Sequence, residues 1–228
     1  MPRPTFLVIG AAKCGTTSVC DLLGSHPDVF MASPKEPHFY SRITRYEELR
    51  PWYASLFEDT GQYEARGEGS TSYSHPHRIH FVVPRLGEEL PDCRLIYMVR
   101  HPVRRLESDW KMRRREGRVP ASMKEAVDDH ASLVTFGLYW KQLQEYRAVF
   151  PDDQLLVVFL EDFAEDPTRE MSRIFDHIGV DSSFAPEDPH RRRNASKSYR
   201  QDTLLAAAVR SLPGYTSLKE AAPHSIIE

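Results

Sequence analysis

A chain of 228 residues with 40% hydrophobic content is long enough for one substantial core and short for two. Its 30 basic and 33 acidic side chains give a net charge of -3, which excludes the overall basic field of a general nucleic-acid binder and confines any basic site to a local patch. No signal-peptide pattern opens the sequence and no stretch approaches the roughly 18 apolar residues of a membrane span, so one soluble domain over residues 1–228, located in the cytoplasm, is expected.

The first element is the apolar, β-branched run Thr5 to Ile9, which lacks alternation and reads as a strand covered on both faces of a parallel sheet. It runs into Gly10-Ala-Ala-Lys-Cys-Gly-Thr-Thr-Ser18 and then a helix through Val19 to Leu23, ending at Gly24. Gly10 and Gly15 let the backbone bring its N–H groups close to an anion, Thr16, Thr17 and Ser18 offer hydroxyls at the helix start, and Lys13 adds a full charge. The nucleotide P-loop, G-x-x-x-x-G-K-[ST], is a related cradle in different wiring: here Thr16 follows Gly15, and the lysine comes before that glycine. Taken alone, such a turn also serves simply to join a strand to a helix. Cys14, inside it, reads as a small neutral filler. With Cys20 and Cys93 it forms neither a disulfide framework nor a zinc spacing, so reduced thiols and no metal are expected.

A short strand, Val29 to Ala32, then delivers Lys35-Glu-Pro-His-Phe-Tyr40 to the end of the sheet, stiffened by Pro34 and Pro37. Together AAKCGTTS and KEPHFY resemble the opening of the carbohydrate-type sulfotransferases, including the heparan sulfate group and its bacterial relatives. The resemblance implies that Lys13, Cys14, Gly15, Thr16, Thr17 and Ser18 hold the 5′-phosphosulfate of 3′-phosphoadenosine 5′-phosphosulfate (PAPS). It also implies that Glu36 is the base for an acceptor hydroxyl, with Lys35 on the acceptor side. His38 is the rival candidate for that proton, since histidine titrates near neutrality.

Tyr46 to Phe57 carries apolar residues at helical spacing, and Tyr63 to Gly69 reads as a strand leading into the hydroxyl-rich loop Ser70 to Pro76 and a helix from His77 to about Leu86. That loop resembles the family's E-K-S-P-x-Y segment at Glu68, Ser70 and Tyr73, which puts Ser70 and Tyr73 beside the acceptor. Gly69 stands where the heparan group carries a lysine, a departure that argues against an anionic polymer as acceptor. Cys93 to Val99 is an apolar strand that turns through Arg100-His-Pro102 into a helix. It resembles the family's 3′-phosphate motif, with Arg100 gripping the phosphate through two N–H groups and Ser108 donating a hydroxyl. The basic run Lys111 to Arg118 reads as a solvated face or as a rim that draws in anions.

Helices are expected over Ser122 to His130 and Gly137 to Phe150, the latter with Leu138, Leu143, Tyr146 and Phe150 toward the core. Gly137-Leu-Tyr139 resembles a G-x-Y that the family sets beside the acceptor cleft, and packing is the other reading of Tyr139. Gln154 to Leu160 reads as a buried strand, followed by Glu161 and Asp162 as a structural turn and a helix to about Ile178. In the basic segment Arg191 to Arg200, the resemblance makes Lys197, Ser198, Tyr199 and Arg200 candidates for the nucleotide; a last helix is expected over Asp202 to Leu212.

Strands alternating with helices imply a three-layer α/β fold with a mostly parallel sheet and the P-loop-like phosphosulfate-binding loop after strand 1. The implied reaction is transfer of a sulfuryl group from PAPS to a hydroxyl or amine, leaving adenosine 3′,5′-bisphosphate and needing no metal. The acceptor would be a carbohydrate, a lipid-linked sugar or a natural product, with no nucleic acid and no membrane span involved. The rivals are a P-loop nucleotide kinase, against which Thr16 in place of the lysine argues, and a catalytically inactive nucleotide- or sulfated-glycan-binding module, against which the presence of Glu36 argues.

Overall fold

The computed structural model describes residues 3–188. Five strands, β1 (Phe6–Gly10), β2 (Val29–Met31), β3 (Ala65–Gly69), β4 (Arg94–Val99) and β5 (Leu155–Phe159), form one sheet in the order β2-β3-β1-β4-β5. Every pairing is parallel, so all five C-terminal ends open on the same edge. β1 lies at the centre with every residue buried, which is what its unbroken apolar run requires.

Nine helices connect the strands among the described residues: α1 (Thr16–Leu23), α2 (Arg50–Ser55), α3 (Ile79–Glu89), α4 (Pro102–Arg115), α5 (Met123–Asp129), α6 (Ser132–Thr135), α7 (Tyr139–Arg147), α8 (Leu160–Glu165) and α9 (Pro167–Ile178). α1 packs against α9 and α3 packs against α7, giving the layers on either side of the sheet. Short 3-10 turns at Phe39–Ser41 and Thr71–Ser74 lie at the open edge and touch each other.

Three elements differ from expectation, each for a local reason. The helix expected over Tyr46 to Phe57 is confined to α2, because Arg45 takes a φ of 59° and Pro51 fixes the helix start only afterwards. The helix expected over Gly137 to Phe150 is α7 alone, with α6 as a separate short turn before it, and Leu138 is left exposed at the junction. β5 is an edge strand and only half-buried, with Phe159 53% exposed; its apolar composition reads as a central strand, but it has a neighbour on one side only. The segment from residue 189 onward, with Lys197, Ser198, Tyr199, Arg200 and the helix expected over Asp202 to Leu212, lies outside the described residues.

No helix among the described residues is long and apolar enough to cross a membrane. Cys14, Cys20 and Cys93 are free and buried.

Candidate active site

The chain leaves β1 through Gly10 at a φ of 142°, where a Cβ would stand 2.1 Å from Ser74 Oγ. Only glycine allows this close approach of the loop to the Thr71–Ser74 turn. Lys13 follows at a φ of 71° and Gly15 at 84°, so the loop curls back before α1 begins. The first helical bond is donated by Val19 N to Gly15 O at 3.3 Å. The N–H groups of Thr16, Thr17 and Ser18 therefore have no acceptor among the described residues and point out of the positive end of α1.

Two cations face this helix end from the side of α4. Lys13 Nζ rests 3.3 Å from Met112 Sδ, a soft partner for an ammonium. Burial pushes the Lys13 ammonium down from its ordinary range; Asp109 and Glu116 hold it up, and the nearby Arg115 and Arg100 push it down further. Arg100, directly after β4, is half-buried, and no carboxylate among the described residues pairs with it. Asp109, the acid that could have compensated these charges, is committed to Arg105 and Arg113 at 3.2 and 2.8 Å. Ser108 and Met112 are one helical turn apart on α4, so Ser108 lies on the face turned to Lys13. The fold thus brings Lys13, Arg100 and the face of α4 that carries Ser108 to one side of the loop.

Much of the basic run is paired with acids of α4 and its end: Lys111 bonds Glu107, Arg113 bonds Asp109 and Arg118 bonds Glu116. Three of its cations are thus compensated, and Arg115 is a member close to Lys13.

A second cluster stands across the edge. Glu36 Oε2 accepts from Thr71 Oγ1 at 3.0 Å and lies 3.2 Å from His38 Nε2. His38 Nδ1 lies 2.7 Å from Ser72 Oγ, which is in turn 2.6 Å from Ser41 Oγ. Burial lowers the His38 pKa, with Glu36 opposing and Arg42 and Arg78 adding to the shift. A neutral imidazole so placed donates from Nε2 to the carboxylate and accepts at Nδ1 from Ser72. Glu36 and His38 thus meet as a pair in which the histidine orients the carboxylate. Lys13, Glu36 and His38 all adopt positive φ, and among the described residues Arg45 and Asp59 are the other non-glycine residues that do. Backbone held in this sparse region marks positions whose geometry the surrounding fold imposes.

Lys35 links the two clusters. Its Nζ donates to Thr17 Oγ1 in the first turn of α1 and lies 4.0 Å from Glu36 Oε1.

Behind the Glu36 pair is a buried support. His38 N donates to Ser70 Oγ at 3.0 Å, and Ser70 Oγ donates to Glu68 Oε2 at 2.8 Å. Glu68 is fully buried, also accepts from Tyr73 and, at 3.4 Å, from Tyr53, and burial pushes its pKa up to about 7 against those donors.

Ser70 and Tyr73, expected at the acceptor, are corrected here: both side chains are fully buried and spent on Glu68, so they brace the Glu36 and His38 pair from behind. Cys14 is also corrected as a contact of the phosphosulfate. Its thiol points inward to Ala12 O and Tyr139 OH, burial raises it to about 11, and its own N–H bonds Ala11 O. Tyr139 stands behind the cradle, its hydroxyl between Cys14 Sγ at 3.5 Å and the Arg100 backbone, which is the packing reading. Gly69 pairs with Val8 in the sheet, and a Cβ there would meet Cys20 Sγ at 2.6 Å. In this chain the position faces the core beneath α1, so its lack of a lysine says nothing about the acceptor. Thr71, Ser72 and Ser41, which the motifs do not single out, carry the network; the density of hydroxyls in residues 70–74 was the signal for Thr71 and Ser72, and nothing in the sequence marks Ser41.

Among the described residues no group of His, Cys, Asp and Glu is placed to hold a metal ion.

Residues 3–206 match the family described as the sulfotransferase domain. The chain belongs to that family. Heparan sulfate glucosamine 3-O-sulfotransferase 6 of Homo sapiens is 33% identical over 209 residues, which cover 86% of this chain and 57% of that protein. The chain thus spans little more than half the length of this relative. A crystal structure of a sulfotransferase from Alicyclobacillus acidocaldarius superposes with a TM-score of 0.72 at 26% identity, covering 99% of both chains. Mouse sulfotransferase SULT7A1 complexed with PAP shares the fold, with a TM-score of 0.53 at 15% identity over 83% of this chain and 62% of that one. The donor of sulfotransferases is PAPS, and the three-layer α/β fold read from the motifs is the fold of the family.

Proposed function

We propose that this chain transfers a sulfuryl group from PAPS to a hydroxyl of a carbohydrate or small-molecule acceptor, releasing adenosine 3′,5′-bisphosphate. The observation that carries the reading is the juxtaposition of an anion cradle, with its cations lacking carboxylate partners, and an oriented carboxylate, joined through Lys35. The residues fit the donor: the N–H groups of Thr16 to Ser18, which have no acceptor among the described residues, and the Lys13 ammonium would hold the 5′-phosphosulfate, and Arg100 with Ser108 the 3′-phosphate. When bound, the donor supplies an activated sulfuryl group on a good leaving phosphate.

Every other part of the chemistry falls to the chain. Lys13 and the loop N–H groups offset charge that grows on the leaving oxygen. Glu36 removes the acceptor proton as the new bond forms, while His38 Nε2 and Thr71 Oγ1 hold its Oε2 so that Oε1 is available. Ser70 and Glu68 hold the His38 backbone against the Thr71–Ser74 turn.

The kinase reading is disfavoured because β4, beside β1, is followed by Arg100 where a magnesium-dependent phosphoryl transferase needs a carboxylate. The hydroxyl-bearing acceptor is proposed by likeness to the heparan sulfate relative, without commitment to a polymer. A single domain in the cytoplasm remains part of the proposal, supported by the three free, buried thiols.

The test is thermal. Adenosine 3′,5′-bisphosphate at a hundred times its dissociation constant should add about 2.7 kcal/mol of stability, and ATP with magnesium much less. Equal shifts in Tm with the two ligands would overturn the assignment.

A further inference from the structure

The chain that leaves the Thr71–Ser74 turn carries His75, His77 and Arg78, with Arg78 standing half-buried just before α3. Arg78 Nη1 donates to Ser41 O at 3.0 Å, and Arg78 Nε donates to His77 Nε2 at 3.3 Å. A guanidinium only donates, so that imidazole nitrogen carries no proton and His77 is neutral. Among the described residues these two are the acceptors of the guanidinium, and neither is a carboxylate. The rings of His75 and His77 lie 5.4 Å apart, and His75 stacks on Phe136 at 4.3 Å. Ser41 joins this group to the base: its Oγ meets Ser72 Oγ, which lies 2.7 Å from His38 Nδ1.

Three imidazoles thus gather around one arginine. Burial lowers the pKa of each, and Arg78 is the arginine that adds to the shift in all three. His75 is pushed down to about 3 by burial, with His77, Arg78 and His38 adding and Asp109 opposing. On exposed His77, burial acts together with Arg78 and with His80 of α3. His38 faces Glu36 from its own segment, Arg42 from beyond the Phe39–Ser41 turn and Arg78 from the start of α3. Arg42 bears on His38 and on neither of the other two rings.

From this arrangement we infer that Arg78 is a positioning residue for the base: it keeps the cluster of His38, His75 and His77 uncharged, so that His38 meets Glu36 as a neutral donor. The inference rests on the reading of Glu36 as the base of a sulfuryl transfer. A neutral His38 gives Glu36 Oε2 one hydrogen bond and leaves the carboxylate able to take the acceptor proton. A protonated His38 would form an ion pair with the same oxygen, and the added charge would lower the proton affinity of Glu36. Its Nδ1 would then carry a proton as well and would no longer accept from Ser72. Arg78 bonds Ser41 and His77, so it acts on Glu36 through the imidazole.

The test reads the histidines themselves and needs no acceptor. Nuclear magnetic resonance would follow the ring signals of His38 and His77 with pH in wild type, Arg78→Gln, Arg78→Lys and Arg42→Gln, with the amide spectrum of each reporting that it is folded. Wild-type His38 should titrate below the ordinary histidine value of about 6.5. Arg78→Gln should shift both rings upward, Arg78→Lys should return them toward wild type, and Arg42→Gln should move His38 alone. Arg78→Met takes the place of the Gln variant if that one does not fold. Titrations that the neutral variant leaves unchanged overturn the inference. Shifts that Arg78→Lys shows in full overturn it too, because Arg78 would then act by packing and not by charge. A wild-type His38 that titrates above about 6.5 does the same, whatever the variants show. Failure of the sulfotransferase reading shows separately, as wild-type protein that adenosine 3′,5′-bisphosphate does not stabilise.

Discussion

The two halves of the site are built on different principles. The phosphate half is backbone and uncompensated charge: a curled loop, the open end of α1, and Lys13 and Arg100 with no carboxylate partner among the described residues. The acceptor half is side chains that satisfy one another, running from Glu36 through His38 and Ser72 to Ser41, and from His38 through Ser70 to buried Glu68. The first half keeps donors and charges without protein partners among the described residues, whereas the polar groups of the second are already paired. A half of the first kind should respond to mutation in binding, and a half of the second kind in turnover.

The sharpest way to break that contrast is Glu36→Gln, which keeps shape and removes basicity. Turnover is expected to fall by about 10² to 10⁴ while adenosine 3′,5′-bisphosphate binds nearly as before. His38→Asn should cost less, because it disturbs only the orientation of Glu36. Single-turnover rates in which Glu36→Gln is near normal and His38→Asn is dead would reverse the two roles.

The mirror test is Arg100→Ala. Charge-assisted hydrogen bonds are worth roughly 1.5 to 3 kcal/mol, so nucleotide affinity should drop at least about tenfold, with discrimination among acceptors left alone. A folded Arg100→Ala protein with unchanged affinity by calorimetry would remove Arg100 from the phosphate half.

The smallest effect concerns the support beneath the base. Glu68 has a native pKa raised to about 7 by burial, above its ordinary carboxylate value. The native state therefore binds this proton more tightly than the unfolded chain, so the stability it contributes is fully present below the unfolded pKa and is lost as pH rises through about 7. Glu68→Gln cannot titrate, so the difference in stability between wild type and variant should shrink, or change sign, from pH 5 to pH 8. Denaturant melts that show a constant difference across that range would mean that Glu68 carries no such proton.

Much of the phosphate half is legible in the sequence because each motif is contiguous: Gly10 to Ser18 turns one strand into one helix, and Arg100 with Ser108 follows another strand in the same way. The acceptor half is legible only in part. KEPHF brings Glu36 and His38 to notice, but their partners Thr71 and Ser72 come from a loop more than thirty residues away, and serine-rich composition does not say where a hydroxyl points. The same blindness to direction explains Ser70, Tyr73 and Cys14, whose positions match the family motifs while their side chains face inward. Gly69 failed as an argument about charge for that reason too, since its Cβ direction is filled by Cys20. β5 misled through composition, because Leu-Leu-Val-Val-Phe does not reveal that its second neighbour is missing.

The sheet order also has a consequence for how the molecule is made. Phe6 pairs with Gly67 on one side and Arg94 on the other, so the central strand finds no partner until long after it is synthesised. At about 5–20 residues per second, translation up to its first partner strand leaves β1, with its apolar side chains bare, unpaired for roughly 3–12 s. Parallel pairing at such separation is slow in any case, since the loop must close before its contacts reward it. The strand that carries the cradle is thus the segment most in need of a chaperone at the ribosome. Slowing elongation between β1 and β4 should lower the soluble yield even though no residue of the finished protein is changed.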